Sequence, residues 1–464
     1  MEQSISKHKK IELLLNKIKF KGIKVGSLLA EVFIINSYHP YDIKFFKMIL
    51  ILIKYTLTMF LSKNLSIINS TFIFTKLSNK FHYNMLMDNL LLHYSERSVI
   101  IYDENTFDLK FNYFHSTYIR SMHASNTLNN SRADILKILT FSIKVMWILI
   151  KYRTRLEVTK NEIVFFVVKL LIQLRRVSFW DHYFITSLSK PKCIVTEHDR
   201  STLSSSLILT AKKYHVFTIT LTHGVITAFC NTPVLADQVF CWGKSQKDLL
   251  ISFGIEAHRI SKTGNPMFKV VKQKNYSELS RSNSFIFCLA IGPESEMLNK
   301  LIIDKFVLSI EKFDQVKGII KLHPSLNKES YIWVNDLSTK LTILDSVEIV
   351  NSELFEKIDI LLVHSSGIAN EALVAGIPVV IILPTNSSML NEVQFELTQQ
   401  AGCQLAKDEN ELIDIFEKII SDPIKYKIDA KKRCKEYLKN LLETTGEESV
   451  KAMIAEIDRL TFTI

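Results

Sequence analysis

The sequence predicts an α/β fold: two Rossmann-like domains, each a parallel sheet flanked by helices, facing a cleft. Three observations carry this. After Pro191, short apolar runs alternate with amphipathic helical stretches. Nearly every apolar run ends in Gly, Pro, His or paired hydroxyls. A polar stretch at 271–283 (VKQKNYSELSRSN) then separates two such series, so the expected division is 1–270, linker 271–283, and 284–464.

Taken in order, Gly22–Asn36 reads as a first strand and turn, and Ser98–Tyr102 (SVIIY) as a strand. Ser131–Arg176 reads as helices. Then come a strand at Lys192–Thr196, a helix at Ser201–Tyr214 with Lys212 and Lys213 at its end, a strand at Val216–Thr222 and a strand at Gln238–Trp242. A helix at Gly243–Phe253 stops at Gly254, and a strand at Ile260–Thr263 ends in Gly264-Asn265-Pro266. The second series has strands at Ser284–Ile291, Val316–Leu322, Ile358–Val363 and Pro378–Leu383. Helices are expected at Glu294–Phe313, Ile368–Ala375, Glu409–Ile420 and Tyr426–Asp458, the last packing back on the N-terminal domain.

Composition agrees with a globular class. The chain of 464 residues has 12 Gly and 9 Pro, where average usage gives about 32 and 23. From Tyr41 to Lys190 there is neither. Richness in Ile, Lys, Asn, Phe and Ser lowers both everywhere, but the clustering of the survivors indicates that tight strand-end turns require them. Residues 1–190 carry 27 basic against 13 acidic side chains, a balance of +14, whereas the remainder is slightly acidic. Solvated helix faces, or attraction to an anionic membrane surface or acceptor, both account for this. Met48–Ile53, Val145–Ile150 and Ile163–Val168 are the longest apolar runs, too short to span a bilayer. The Met1–Lys10 segment has no secretory pattern. Six scattered cysteines (193, 230, 241, 288, 403, 434) read as reduced core thiols, giving a cytoplasmic expectation, at most peripheral at the membrane face.

Six polar clusters stand at predicted strand ends, where open parallel sheets bind ligands. In VHSSGIANEALVAGIPVVII, a buried strand delivers Ser365, Ser366 and Gly367 to a helix start, a phosphate site by its N–H groups and hydroxyls. Glu371, about a turn on, is placed to accept bonds from ribose hydroxyls; the plainer alternative makes Ser365 a cap and Glu371 a first-turn acid. In KLHPS, His323 is held by Pro324 and is placed to bind a phosphate oxygen and a departing nucleotide. Lys321 is expected to point away. His223 in THGV is a further catalytic candidate. Glu197 and Asp199, flanking His198, are the candidate bases, with Asp199 alternatively capping the helix after Ser201. Gly292 and Asn265 complete the candidate ligand contacts. No dinucleotide fingerprint, P-loop, D-x-D, zinc spacing or nucleophile elbow occurs, so no metal and no cofactor is expected. Nucleic-acid signatures are likewise missing.

The series THGV, ADQVFCWG, TGNP, KLHP and HSSGIANEALVAGIPVV resembles the GT-B glycosyltransferases of bacterial capsule and surface-polysaccharide synthesis. It is similar to the branches with an HP and a paired-hydroxyl motif, which include CMP-sugar sialyl-, polysialyl- and Kdo-transferases, and to CDP-glycerol glycerophosphotransferases. The resemblance covers Pro191 to the C-terminus. It implies that His323, Ser365 and Ser366 contact donor phosphate and Glu371 the ribose. The acid-acid-Gly motif that supplies the base in those branches is matched only by Glu197-His198-Asp199. The resemblance therefore implies an inverting, metal-independent transferase, with a nucleotide-sugar donor (CMP-sugar first) and a surface or lipid-linked glycan acceptor. Three alternatives stand beside it: an epimerase like those acting on UDP-N-acetylglucosamine, a CDP-glycerol glycerophosphotransferase, and a non-catalytic polysaccharide-assembly protein.

Overall fold

The computed structural model describes residues 2–33, 71–76, 82–94, 98–102, 120–123, 132–187, 189–222, 224, 226–268, 284–292, 294–324, 326–345, 348–349, 351–384 and 390–462. The 271–283 stretch, His223, Pro293, Ser325 and the Met48–Ile53 run lie outside them. Two compact units result. The first comprises Met1–Cys241, Lys247–Ser261 and Ala452–Ile464; the second comprises Trp242–Gln246 and Lys262–Lys451.

The first unit holds a seven-stranded sheet. Its strands are β1 (Phe72–Lys76), β2 (Ser98–Tyr102), β3 (Arg120–His123), β4 (Cys193–Thr196), β5 (Phe217–Leu221), β6 (Gln238–Cys241) and β7 (Ile260–Lys262). Their order is β3-β2-β1-β4-β5-β6-β7. The pairings from β3 across to β6 are parallel, with Thr75 level with Thr196. This is a doubly wound sheet with its switch point between β1 and β4. β4 is buried at every position, so it reads as a continuous apolar run rather than an alternating one.

The stretch without Gly or Pro builds long helices. Thr159 and Glu162 form a reciprocal capping box that starts the 27-residue helix Lys160–Thr186, and Lys7 pairs with Glu162 at 2.7 Å. That helix packs against Arg132–Lys151 and Glu2–Leu15 through Ile11, Leu15, Ile138, Val145, Phe166 and Leu170. Its later turns pack Trp180 and Phe184 on Ile73, Val99 and Ile194 of the sheet. Gly22–Asn36 is not a sheet strand where it is described. It forms a two-residue hairpin (Lys19–Phe20 with Ile23–Lys24) running into a helical turn at Val25–Leu28.

The second unit holds six strands: β8 (Phe285–Ile291), β9 (Val316–Leu322), β10 (Leu341–Leu344), β11 (Ile360–Val363), β12 (Val379–Ile382) and β13 (Gln404–Ala406). All pair in parallel, in the order β10-β9-β8-β11-β12-β13, with the switch point between β8 and β11. Alternation sorts their side chains. Phe287, Leu289, Ile320, Leu322 and Leu362 face helices Glu296–Ile310 and Glu409–Ser421. Cys288, Ala290, Leu361, Val363 and Ile381 face helices Asn351–Lys357, Ile368–Val374 and Pro423–Leu441. Each large apolar side chain buried this way contributes about 1.5–3 kcal/mol.

The helix expected at Tyr426–Asp458 is two helices, Pro423–Leu441 and Gly446–Phe462. The backbone between them has other partners: Glu443 N–H donates to the Trp242 carbonyl, and Asn265 N–H to the Thr444 carbonyl. Gly446 sits at φ +55°, a left-handed position suited to glycine. The second helix counts with the first unit from Ala452 on, and there Tyr94 donates to Asp458 at 2.9 Å. None of the six cysteines is in a disulfide, and four of them are buried.

Candidate functional site

In the second sheet Ala290 is level with Lys321 on one side and Val363 on the other. The loops that begin at Gly292, His323 and His364 therefore leave from neighbouring strands at nearly the same height. This is the carboxyl end of β8, β9 and β11, at the switch point where such sheets bind ligands.

His323 is half-buried directly after β9, and its carbonyl accepts the Leu326 N–H at 2.9 Å, which closes the turn through Pro324. Gly292 is buried after β8, and a Cβ there would strike the Glu294 carboxylate. That carboxyl folds back onto the N–H groups of Gly292 and Glu294, and burial raises its pKa.

Ser365, Ser366 and Gly367 form the half-buried turn after β11. The cap of helix Ile368–Val374 is Gly367, with no side-chain cap bond, so the capping alternative for Ser365 is not the arrangement found. Gly367 has an ordinary φ of −63°, and a Cβ on it would meet nothing within 4 Å. Neither backbone nor packing requires glycine there; the space in front of the turn is open. His364 anchors the turn, with Nδ1 lying 3.1 Å from the Ile382 carbonyl while Gln394 Nε2 donates to the His364 carbonyl. Burial lowers the pKa of this imidazole.

Glu371, on the helix after the serines, accepts from Asn351 Nδ2 at 2.8 Å. Burial raises its pKa to about 7, and Asn351 and Lys321 pull the other way. Lys321 corrects the expectation that it points away from the site. It is buried on the face that carries the 368–374 helix, and its pKa is lowered by burial against the fields of Cys288, Glu371 and Asp345. The available signal was its place: two residues before His323, on the same alternation as Ile319.

Asn265 stands elsewhere in this unit. Its N–H and carbonyl bond to Thr444 and Gly446, and its Oδ1 accepts the Met267 N–H at 2.9 Å.

In the first unit, Glu197, His198 and Asp199 follow β4 and are deeply placed. Asp199 Oδ2 accepts the N–H groups of Leu235 and Ala236, the latter at 2.9 Å. It does not cap the following helix, which begins at Ser204 with Ser201 Oγ accepting its N–H. His198 Nε2 lies 3.3 Å from the Cys230 carbonyl, and burial with the neighbouring Arg200 lowers its pKa to about 4. Arg200 pairs with Glu12 at 3.0 Å. Among the described residues no cluster of His, Cys, Asp and Glu could hold a metal ion.

By fold, these are two Rossmann-like units, the two-domain GT-B architecture. No family model matches the chain, and no curated protein does. Solved structures do. A UDP-N-acetylglucosamine 2-epimerase matches with TM-score 0.52 at 16% identity, over 85% of this chain and 97% of its own. The Methanocaldococcus jannaschii UDP-N-acetylglucosamine 2-epimerase, in complex with UDP-N-acetylglucosamine and UDP, matches with TM-score 0.50 at 16% identity, over 84% and 99%. Anabaena HepE in complex with UDP-glucose matches with TM-score 0.51 at 12% identity, over 84% and 99%. These matches correct the expectation of a CMP-sugar glycosyltransferase. The named enzymes among them are epimerases, and the named ligands are uridine nucleotides and their sugars. The matches fit the epimerase alternative better than the transferase.

Proposed function

We propose that the chain is a nucleotide-sugar epimerase of the UDP-N-acetylglucosamine 2-epimerase kind. The observation that carries this is the furnished switch point of the second sheet, in a fold matched over 84% of the chain by structures with uridine ligands. His323 and the hydroxyls of Ser365 and Ser366 take the diphosphate, in front of the open space at Gly367. Glu371, steadied by Asn351, takes the ribose hydroxyls. Inverting a sugar carbon requires its proton to leave and return, which is general acid–base work. Asp199 is committed to the 235–236 backbone and is not assigned that role. Six scattered cysteines outside any disulfide support a cytoplasmic setting.

The test is to incubate the purified protein with UDP-N-acetylglucosamine alone and follow the sugar by NMR. The expected result is an isomer of identical mass, with thermal stabilisation by UDP and weaker stabilisation by CMP or CDP. His323→Ala and Ser365→Ala each lower UDP affinity by about tenfold. No isomer, no stabilisation by UDP, or preference for a cytidine nucleotide overturns the reading.

A further inference from the structure

Helix Arg132–Lys151 buries one face in the first unit's core and leaves another exposed. On the exposed face, Leu136 (61% exposed), Ile143 (55%), Trp147 (67%) and Ile150 (51%) form an apolar row. Residues seven apart lie on one face of a helix, so Lys137, Lys144 and Lys151, one residue on from Leu136, Ile143 and Ile150, form a second row beside the first. All three lysines are exposed, as are Arg153 and Arg155 just beyond. The acidic groups nearest along the chain are Asp134, within 3.3 Å of Lys21, and Glu157, at the far end beyond the arginines.

A 20-residue helix of this length runs about 30 Å, and among the described residues no helix is long and apolar enough to cross a membrane. Four large apolar side chains on such a face would be a liability against water alone. Their chemistry fits a bilayer lying along the helix. A tryptophan and branched aliphatics enter the headgroup–acyl boundary, while a parallel lysine row sits at the height of anionic headgroups. A protein partner would need acids to match the lysine row. The +14 balance of residues 1–190 favours the continuous negative field of an anionic bilayer.

We propose that this face is a docking surface for an anionic lipid bilayer, on which the protein lies without insertion. The assignment does not rest on the epimerase reading. The experiment is sedimentation of the full chain with vesicles of phosphatidylcholine alone or mixed with phosphatidylglycerol. Binding is expected to the mixed vesicles and to weaken with salt. Fluorescence quenching by brominated acyl chains should fall when Trp147 is replaced by Phe. The triple variant Lys137→Gln, Lys144→Gln, Lys151→Gln and the double variant Ile143→Ser, Trp147→Ser should each bind about tenfold or more weakly, while both keep the wild-type circular-dichroism spectrum. Equal binding to neutral vesicles, unchanged binding of both variants, or a wild-type dimer that the double variant breaks into monomers overturns the proposal.

Discussion

Asn351 donates its side-chain N–H to Glu371 Oε2 at 2.8 Å, tying the start of one helix to the carboxyl group on another. The bond steadies an acid that burial otherwise drives toward neutrality, with a pKa of about 7.

Glu371 consequently works against the fold at neutral pH. Its folded pKa stands above its ordinary value of 4.5, so the folded protein holds a proton that the unfolded chain gives up between about pH 4.5 and 7. Stability falls as pH rises through that window. Glu371→Gln is expected to leave stability unchanged at pH 4.5 and to add about 1–2 kcal/mol at pH 8, the half-buried position keeping the gain modest. The same variant should lose about tenfold in UDP affinity. Thermal melts at the two pH values and calorimetric titration with UDP check both halves.

Lys321→Met is expected to act on the same acid from the other side. Removing the cation frees Glu371 to rise above its pKa of about 7, so the pH dependence of UDP binding shifts upward. Lys321 itself has a lowered pKa, so its charge opposes folding at pH values below the ordinary lysine range, and that cost fades as pH rises toward about 10. The Met variant is thus about 1 kcal/mol more stable at pH 7, with the advantage shrinking in alkali. Denaturant melts at pH 7 and pH 10 measure it.

Glu197 and Asp199 should separate cleanly. Asp199→Ala leaves the buried N–H groups of Leu235 and Ala236 without an acceptor and is expected to cost about 2–4 kcal/mol in urea melts. Glu197→Gln, a change that keeps the side chain's shape, should stay folded. Urea melts followed by circular dichroism tell the two apart.

Scarcity of glycine leaves its own mark. Lys21, Glu157 and His215 occupy left-handed backbone at φ 48°, 55° and 59°, where glycine is at ease. Glu157→Gly and His215→Gly are each expected to stabilise by about 0.5–1 kcal/mol. Gly264→Ala should cost about 3 kcal/mol or more, since φ is +78° and a Cβ would collide with the Thr444 carbonyl oxygen. Melting temperatures rank all three.

The strands at 193–196, 217–221, 238–241, 285–291, 316–322, 360–363 and 379–382 were legible because each is a buried run stopped by a polar or Gly/Pro turn. Phe72–Lys76, the first strand of its sheet, was not: no glycine or proline punctuates its surroundings. Arg120–His123 and Gln404–Ala406, at the sheet edges, lack an apolar pattern of their own. In the site, His323, Ser365 and Ser366 could be placed by strand ends alone. Lys321 could not, because its direction depends on which of two covered faces its alternation serves. Asp199 was visible as an acid, but its bonds to residues 36 and 37 positions away were not.

The carboxyl-terminal helix carries a consequence for anyone who cuts the gene. From Ala452 on it counts with the first unit, although more than 180 residues of the second unit precede that point. A stop codon placed just before Ala452 would therefore injure the amino-terminal half rather than trim the carboxyl-terminal one. Neither half can be expressed as one uninterrupted stretch of reading frame without leaving a piece of itself behind.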